Sequence, residues 1–230
     1  MRDDGLTEAQ WQPHLINRTL PPGTDPAAAT MMITWRETHS YLTRLRVGPG
    51  QRLLILGSGG NGFSFLVMAR ALGVEQIVMV GNPHWAGLAE RAGAAAFVDY
   101  RGPDVGTDLD RTSPGGFDLV LDAIGRTGAL EMAVDRLVSG GRVAMYGIDD
   151  LGERMGYLAD LRGRGIEAHG PGEYSEAEAH EAVVALLETG RLNASIWFDP
   201  AAPVSLDDLM QAVADIDGKK SLKALVRLSR

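Results

Sequence analysis

The 230-residue sequence predicts an α/β fold, a doubly wound and mostly parallel sheet flanked by helices. Three features carry that expectation. Leu53-Leu54-Ile55-Leu56 is a run of bulky aliphatic residues without polar alternation, as a strand buried on both faces requires. Directly after it, Gly57, Gly59 and Gly62 supply G-x-G-x-x-G and open an apolar helical stretch, residues 63–72. From there to about residue 169, short apolar runs alternate with helical patterns, which implies right-handed crossovers between parallel strands.

The elements follow in chain order. Residues 1–30 are polar and turn-rich; residues 11–20 have room for one short strand, and Pro21-Pro22-Gly23-Thr24-Asp25-Pro26 is a loop by its turn chemistry. Asp25 and Pro26 then start a helix through Met32, with Asp as cap and Pro just inside. A second helix covers 35–45, and Val47-Gly48-Pro49-Gly50-Gln51 turns into the first strand. The second strand is Gln76-Ile77-Val78-Met79-Val80, followed by a helix at 85–91 and a third strand, Ala95-Ala96-Phe97-Val98-Asp99. Residues 101–116 read as loop. A fourth strand spans 117–124, a helix 129–137 ends at Gly140-Gly141, and Arg142-Val143-Ala144-Met145-Tyr146 is the fifth strand. A helix at 151–163 leads to an edge strand at 165–170. The helix at 175–189 has Ser175 placed to cap it, Glu178 three residues on and Gly190 closing it. A helix at 206–216 and a strand at 223–228 finish the chain.

The glycines state the chemistry of the first turn. Gly57 allows a tight exit from the strand, Gly59 lets a pyrophosphate approach the backbone, and Gly62 lets the helix pack closely on the sheet. The free N–H groups and dipole at that helix start form an anion site suited to a dinucleotide. Composition excludes other classes. Forty-five per cent hydrophobic residues fill a core, while a formal charge of −8 without a basic stripe argues against nucleic acid and anionic membranes. With no cysteine there are no disulfides and no thiolate metal ligands. No apolar run approaches the roughly 20 residues of a membrane span, and Met1-Arg2-Asp3-Asp4-Gly5 lacks a signal-peptide core, so a cytoplasmic protein is expected.

Ordered landmarks along most of the chain resemble the medium-chain dehydrogenase/reductase family, which includes the zinc-type alcohol dehydrogenases and quinone reductases. They are Leu45-Arg46-Val47-Gly48-Pro49-Gly50-Gln51, the glycine fingerprint, Ala71-Leu72-Gly73, Glu90-Arg91-Ala92-Gly93-Ala94, Gly116-Phe117-Asp118-Leu119-Val120-Leu121-Asp122-Ala123-Ile124-Gly125, Gly140-Gly141-Arg142-Val143 and Gly218-Lys219-Lys220-Ser221-Leu222-Lys223. The resemblance implies a Rossmann domain at 36–175, preceded by a remnant and linker at 1–35 and followed by C-terminal helices and strand at 176–230. Most of the family's N-terminal GroES-like catalytic domain has no counterpart here, and remnants of it are expected at both termini, with Ala9-Gln10-Trp11-Gln12-Pro13-His14-Leu15 its last part. The sequence is then a naturally truncated member or a piece of a longer chain.

Two further departures set expectations for cofactors. The position of the family zinc ligand nearest the dinucleotide domain falls at Met31-Met32, whose thioethers are poor zinc ligands, and the five histidines show no ligand spacing, so no zinc is expected. At the end of the second strand, Gly81-Asn82-Pro83-His84 has no Asp or Glu to bond a ribose 2′-hydroxyl. NADP is therefore expected ahead of NAD, with Asn82, His84 or Arg101 standing in for the usual Arg; a turn that has drifted because nothing binds is the alternative. By resemblance, Gly57, Ser58, Gly59, Gly60, Asn61 and Gly62 take the pyrophosphate, and Gly81, Asn82 and His84 face the adenosine ribose. Ala123, Ile124, Gly125, Tyr146, Gly147 and Ile148 border the nicotinamide half, and Lys223 reaches the pyrophosphate.

Hydride transfer also needs a proton donor or electrophile. Tyr146 and His39 are chemically able acids, and Arg126 is a clamp for an anionic substrate; Arg36, Glu37, Tyr41, Asp149 and Asp150 lie in the same neighbourhood, and Asp122 reads as structural. Two functions follow. One is a zinc-independent NADP(H) oxidoreductase acting on a carbonyl or enone of a small or carrier-bound substrate. The other is a non-catalytic or repurposed dinucleotide-binding module: a pseudoenzyme, a partner-completed subunit or a redox-neutral catalyst. A homodimer through the strand near Ile166 is expected, or a partner protein in place of the missing domain that covers Ile196, Trp197 and Phe198.

Overall fold

The structure is a computed structural model and describes residues 18–228. Six parallel strands form one sheet in the order β3-β2-β1-β4-β5-β6: β1 Arg52–Leu56, β2 Gln76–Gly81, β3 Ala96–Asp99, β4 Phe117–Asp122, β5 Leu137–Met145 and β6 Glu167–His169. The order reverses between β1 and β4, which puts the crevice of a doubly wound sheet at the carboxyl end of β1. Burial on both faces explains the unbroken aliphatic run: Leu53 and Ile55 enter one core, Leu54 and Leu56 the other.

On the first face lie α1 Pro26–Ala29, α2 Met32–Arg44, α3 Gly60–Ala71, α4 Ala86–Arg91 and α8 Glu176–Glu188. On the second lie α5 Val105–Thr112, α6 Ala129–Val134 and α7 Leu151–Gly163. Beyond the sheet, β7 Val204–Ser205, α9 Leu209–Asp217 and β8 Val226–Arg227 form a small appended unit. Among the described residues, no helix is long and apolar enough to cross a membrane.

Several expectations are corrected. Residues 105–112 are helical rather than loop: Asp104 accepts the Thr107 N–H at 2.9 Å as a cap, and Leu109 alone is buried, too little apolar signal to show a period. The helix expected to run to Leu137 stops at Val134, and β5 begins at Leu137 and passes through Gly140-Gly141. Its pairing with β4 slips between Phe117 and Leu119, so the glycines belong to an irregularity in the ladder rather than to a helix end. The helix from Asp25 is a single turn; Asp25 does cap it, and α2 starts afresh at Met32. Ser175 makes no side-chain cap, and its N–H donates to Ser40 Oγ at 2.8 Å, the donor that Glu178 would need to complete a capping box. The pairing of β7 with β8 was not foreseen, and the expected strand at 11–20 lies largely outside the described residues.

Trp197 and Phe198 need no outside cover. Trp197 is fully buried, edge-on to Trp35 with ring centroids 5.9 Å apart. The exposed apolar residues of the C-terminal part are instead Leu206, Leu209, Met210, Val213 and Leu228.

Candidate dinucleotide site

The glycine loop has the shape its sequence demands. Gly57 leaves β1 at φ +111°, a conformation other residues rarely adopt. A Cβ on Gly62 would lie 2.0 Å from the Gly57 carbonyl oxygen, so the loop and the first turn of α3 meet at a distance only glycine permits. Gly59 meets nothing within 4 Å. Helix α3 starts at Gly60 with no side-chain cap, which leaves its first N–H groups without intrahelical acceptors.

This loop forms the floor of a cleft of about 700 Å³, within the usual range of small-molecule sites. Residues 57–62, Gly81, Asn82, Tyr100, Ala123, Ile124 and Arg126 line it. Ser58 ties the two sides together. Its buried Oγ accepts the Asn82 N–H at 2.9 Å, and a Cβ on Gly81 would come within 2.3 Å of its own Cβ. The missing acid at position 81 thus has a local cause: Ser58 fills the space a side chain there would need. Asn82 Oδ1 accepts the His84 N–H at 3.1 Å, starting a single 3-10 turn.

On the β3 side, Arg101 follows the cleft residue Tyr100. Its Nε donates to Tyr100 Oη at 2.9 Å, and the guanidinium lies 5.2 Å from the Tyr100 ring centroid. Lys223 does not line the cleft; its Cε lies 3.2 Å from a Cβ built on Gly60, and it borders a separate hollow with Phe198 and Leu225. Its backbone N–H donates to the Trp197 carbonyl, and Trp197 Nε1 donates to the Gly60 carbonyl at 2.8 Å. Through these bonds the C-terminal segment is fastened to the glycine loop.

Ala123 and Ile124 complete the wall. Asp122 Oδ1 accepts the N–H groups of Ile124 and Gly125, each at 2.9 Å, which holds the turn after β4. Burial pushes the Asp122 carboxyl above the ordinary carboxylate range, against the opposing pull of those amides. Buried Arg154 stands 3.9 Å away and pairs with Glu131 at 2.5 Å. Gly125 and Gly147 pack back to back, since a Cβ on either would fall within 2.3 Å of the other strand end's backbone.

The remaining candidates are dispersed. His84 turns away into a second hollow, between α4 and the segments around Phe198 and Ser221. Ile148 is exposed beyond the wall. Arg126 lines the cleft and pairs with Asp149 at 2.9 Å, whereas Tyr146 and His39 are not among its lining residues. Burial pulls the His39 imidazole below its ordinary value, and its Nδ1 has no hydrogen-bond partner. Glu37, on α2, is the residue that reaches Tyr146: the phenol donates to Glu37 Oε2 at 2.6 Å, and Tyr174 donates to Oε1 at 3.4 Å. Tyr174 carried no sequence signal. Among the described residues no cluster of His, Asp or Glu is placed to hold a metal, and Met31 and Met32 are buried.

Comparison with known proteins agrees with this architecture. The family model described as zinc-binding dehydrogenase matches residues 62–189, more than half the chain. Geraniol dehydrogenase of Castellaniella defragrans is 33% identical over 109 residues, covering 46% of this chain and 29% of that protein. The phthioceranic/hydroxyphthioceranic acid synthase of Mycobacterium tuberculosis is 32% identical over 146 residues, 58% of this chain and 7% of the synthase. Among solved structures, benzyl alcohol dehydrogenase from Acinetobacter calcoaceticus superposes with a TM-score of 0.78 at 20% identity, over 92% of this chain and 59% of that one. Alcohol dehydrogenase TADH from Thermus sp. ATN1 gives 0.76 at 25% identity, over 91% and 62%. The chain thus spans only part of the length of the relatives it matches. It belongs to the zinc-binding dehydrogenases of the medium-chain dehydrogenase/reductase family and carries that family's dinucleotide-binding Rossmann region.

Proposed function

We propose that this chain is an NADP(H)-dependent oxidoreductase that works without zinc on a carbonyl or enone of a small or carrier-bound substrate. The observation that supports it most is the open cleft over residues 57–62, where the glycines leave room for two linked phosphates and Lys223 lies against the start of α3. When bound, the nicotinamide supplies or accepts hydride; the chain's own part is to bind and orient it. The α3 N-terminus takes the pyrophosphate, and Lys223 adds charge beside it.

The preference for NADP rests on Gly81 and Arg101. No carboxylate can occupy position 81 while Ser58 fills its space, so nothing there repels a 2′-phosphate. The guanidinium held over Tyr100, itself a cleft residue, is the counter-charge within reach. Arg101→Ala is expected to weaken NADPH roughly tenfold, the scale of one charge-assisted contact, and to leave NADH within twofold. Fluorescence titration of both cofactors checks this, and equal losses for the two would remove Arg101 from the role. Oxidation of NADPH by members of a carbonyl and enone panel tests the activity. Binding without any oxidation favours the module that binds a dinucleotide without hydride transfer.

The zinc-free reading rests on Met31 and Met32, thioethers at the position where the family draws a ligand. For assembly, we propose a two-fold contact at β6, whose outer edge has no partner strand among the described residues. A partner protein or further domain is assigned to the exposed apolar residues on α9.

A further inference from the structure

We propose that Tyr146, held by Glu37, is the proton-transfer group of this site, and that Glu37, Tyr174 and Glu176 select neutral carbonyl or alcohol substrates over anionic ones. The inference rests on the oxidoreductase reading and deepens it.

Position is the first ground. Tyr146 is the residue immediately after β5, and the sheet runs β1-β4-β5 away from the glycine loop. With strands about 4.8 Å apart, the end of β5 lies on the order of 10 Å from the loop, on the side of Ala123 and Ile124. Ligands of open α/β sheets lie along these carboxyl ends.

Orientation is the second. The Tyr146 ring packs edge-on against Phe65 of α3, centroids 4.9 Å apart, and against Tyr41 at 5.8 Å. Its hydroxyl is then fixed by the 2.6 Å bond to Glu37, whose other oxygen receives Tyr174. Tyr146, Glu37 and Tyr174 are all only half-buried.

Charge is the third. Burial first, and then the bond to Glu37, raise the affinity of Tyr146 for its proton. Burial also pushes Glu176 upward, against the attraction of Arg36 at 3.3 Å. The phenol therefore keeps its proton until a more basic alkoxide develops beside it, in a setting whose carboxylates repel a further anion. In the reducing direction the carbonyl carbon would receive hydride from a bound nicotinamide. Once the substrate oxygen displaces Glu37 Oε2 as acceptor of the phenolic hydrogen, the Tyr146 O–H bond breaks as the new substrate O–H bond forms, and the phenolate recovers a proton from water.

Four proteins decide the matter: wild type, Tyr146→Phe, which keeps the ring packing, Glu37→Gln, which keeps an acceptor but removes charge, and the double variant Glu37→Gln/Tyr146→Phe. Without cofactor, tyrosinate absorbance in wild type and Glu37→Gln, each against its own Tyr146→Phe version, gives the ionisation of Tyr146. It should occur at least about one pH unit lower in Glu37→Gln. With NADPH, 2-butanone should be reduced at least about tenfold more efficiently than the anionic ketone acetoacetate. Tyr146→Phe should lower kcat about a hundredfold or more, with the NADPH dissociation constant unchanged. The alkaline limb of the reduction should move to lower pH in Glu37→Gln. Equal use of acetoacetate, a near-normal kcat for Tyr146→Phe, or an unmoved ionisation and alkaline limb would overturn the proposal. NADPH binding without turnover of either ketone also overturns it and leaves the cofactor reading intact. Failure of wild type to bind NADPH overturns both.

Discussion

Alanine at position 62 is expected to abolish dinucleotide binding and to destabilise the protein by about 2–3 kcal/mol, the range of an overpacked core. The new methyl would lie 2.0 Å from the Gly57 carbonyl oxygen, and neither backbone can retreat without unseating α3 from the sheet. For a domain of this size the melting temperature should fall by about 5–10 °C. NADPH affinity should drop at least about a hundredfold. Gly59→Ala separates the two effects. A Cβ there meets no protein atom within 4 Å, so its melting temperature should match wild type, and any loss of affinity reports directly on phosphates approaching the backbone. Paired thermal melts and calorimetric titrations of both variants make the check. Equal stability of Gly62→Ala and wild type would show that the loop and helix are not in the contact described.

Trp197→Ala should cost about 3–5 kcal/mol, the loss for a large buried aromatic side chain. Trp197 closes the first core against Trp35 and joins the C-terminal segment to the loop through the Gly60 carbonyl. Trp197→Phe keeps much of the packing and removes the N–H, so about 1 kcal/mol should be lost. Its more informative effect is on binding: with the Trp197 tether to the Gly60 carbonyl lost, NADPH affinity should fall more than stability does. Melting curves with and without NADPH give both numbers. An affinity that ignores Trp197→Phe would mean that the C-terminal segment braces the fold without shaping the cleft.

Where burial pattern and glycine chemistry governed an element, the sequence was explicit. The sheet, its first crossover and the close loop–helix contact follow from Leu53 to Gly62 alone, because a buried parallel strand and a φ of +111° each leave few residue choices. Elements held by single contacts were hidden. Helix α5 has one buried anchor, Leu109, and β7 is a two-residue ladder that depends on distant Val226. The site divided in the same way. The cleft floor was legible as a motif, whereas the Ser58–Gly81 fit and the Tyr146–Glu37–Tyr174 convergence join residues 23 to 137 positions apart, which no local pattern encodes. The resemblance implies a ribose contact for His84, yet the 3-10 turn after Asn82 carries it to the other side.

Amide hydrogen exchange of the wild-type protein, with and without saturating NADPH, tests the central claim most directly. Protection confined to residues 57–62, 81–82 and 123–125, the strand ends around the cleft, is the expected result. Unchanged exchange across all three segments at millimolar NADPH would contradict it.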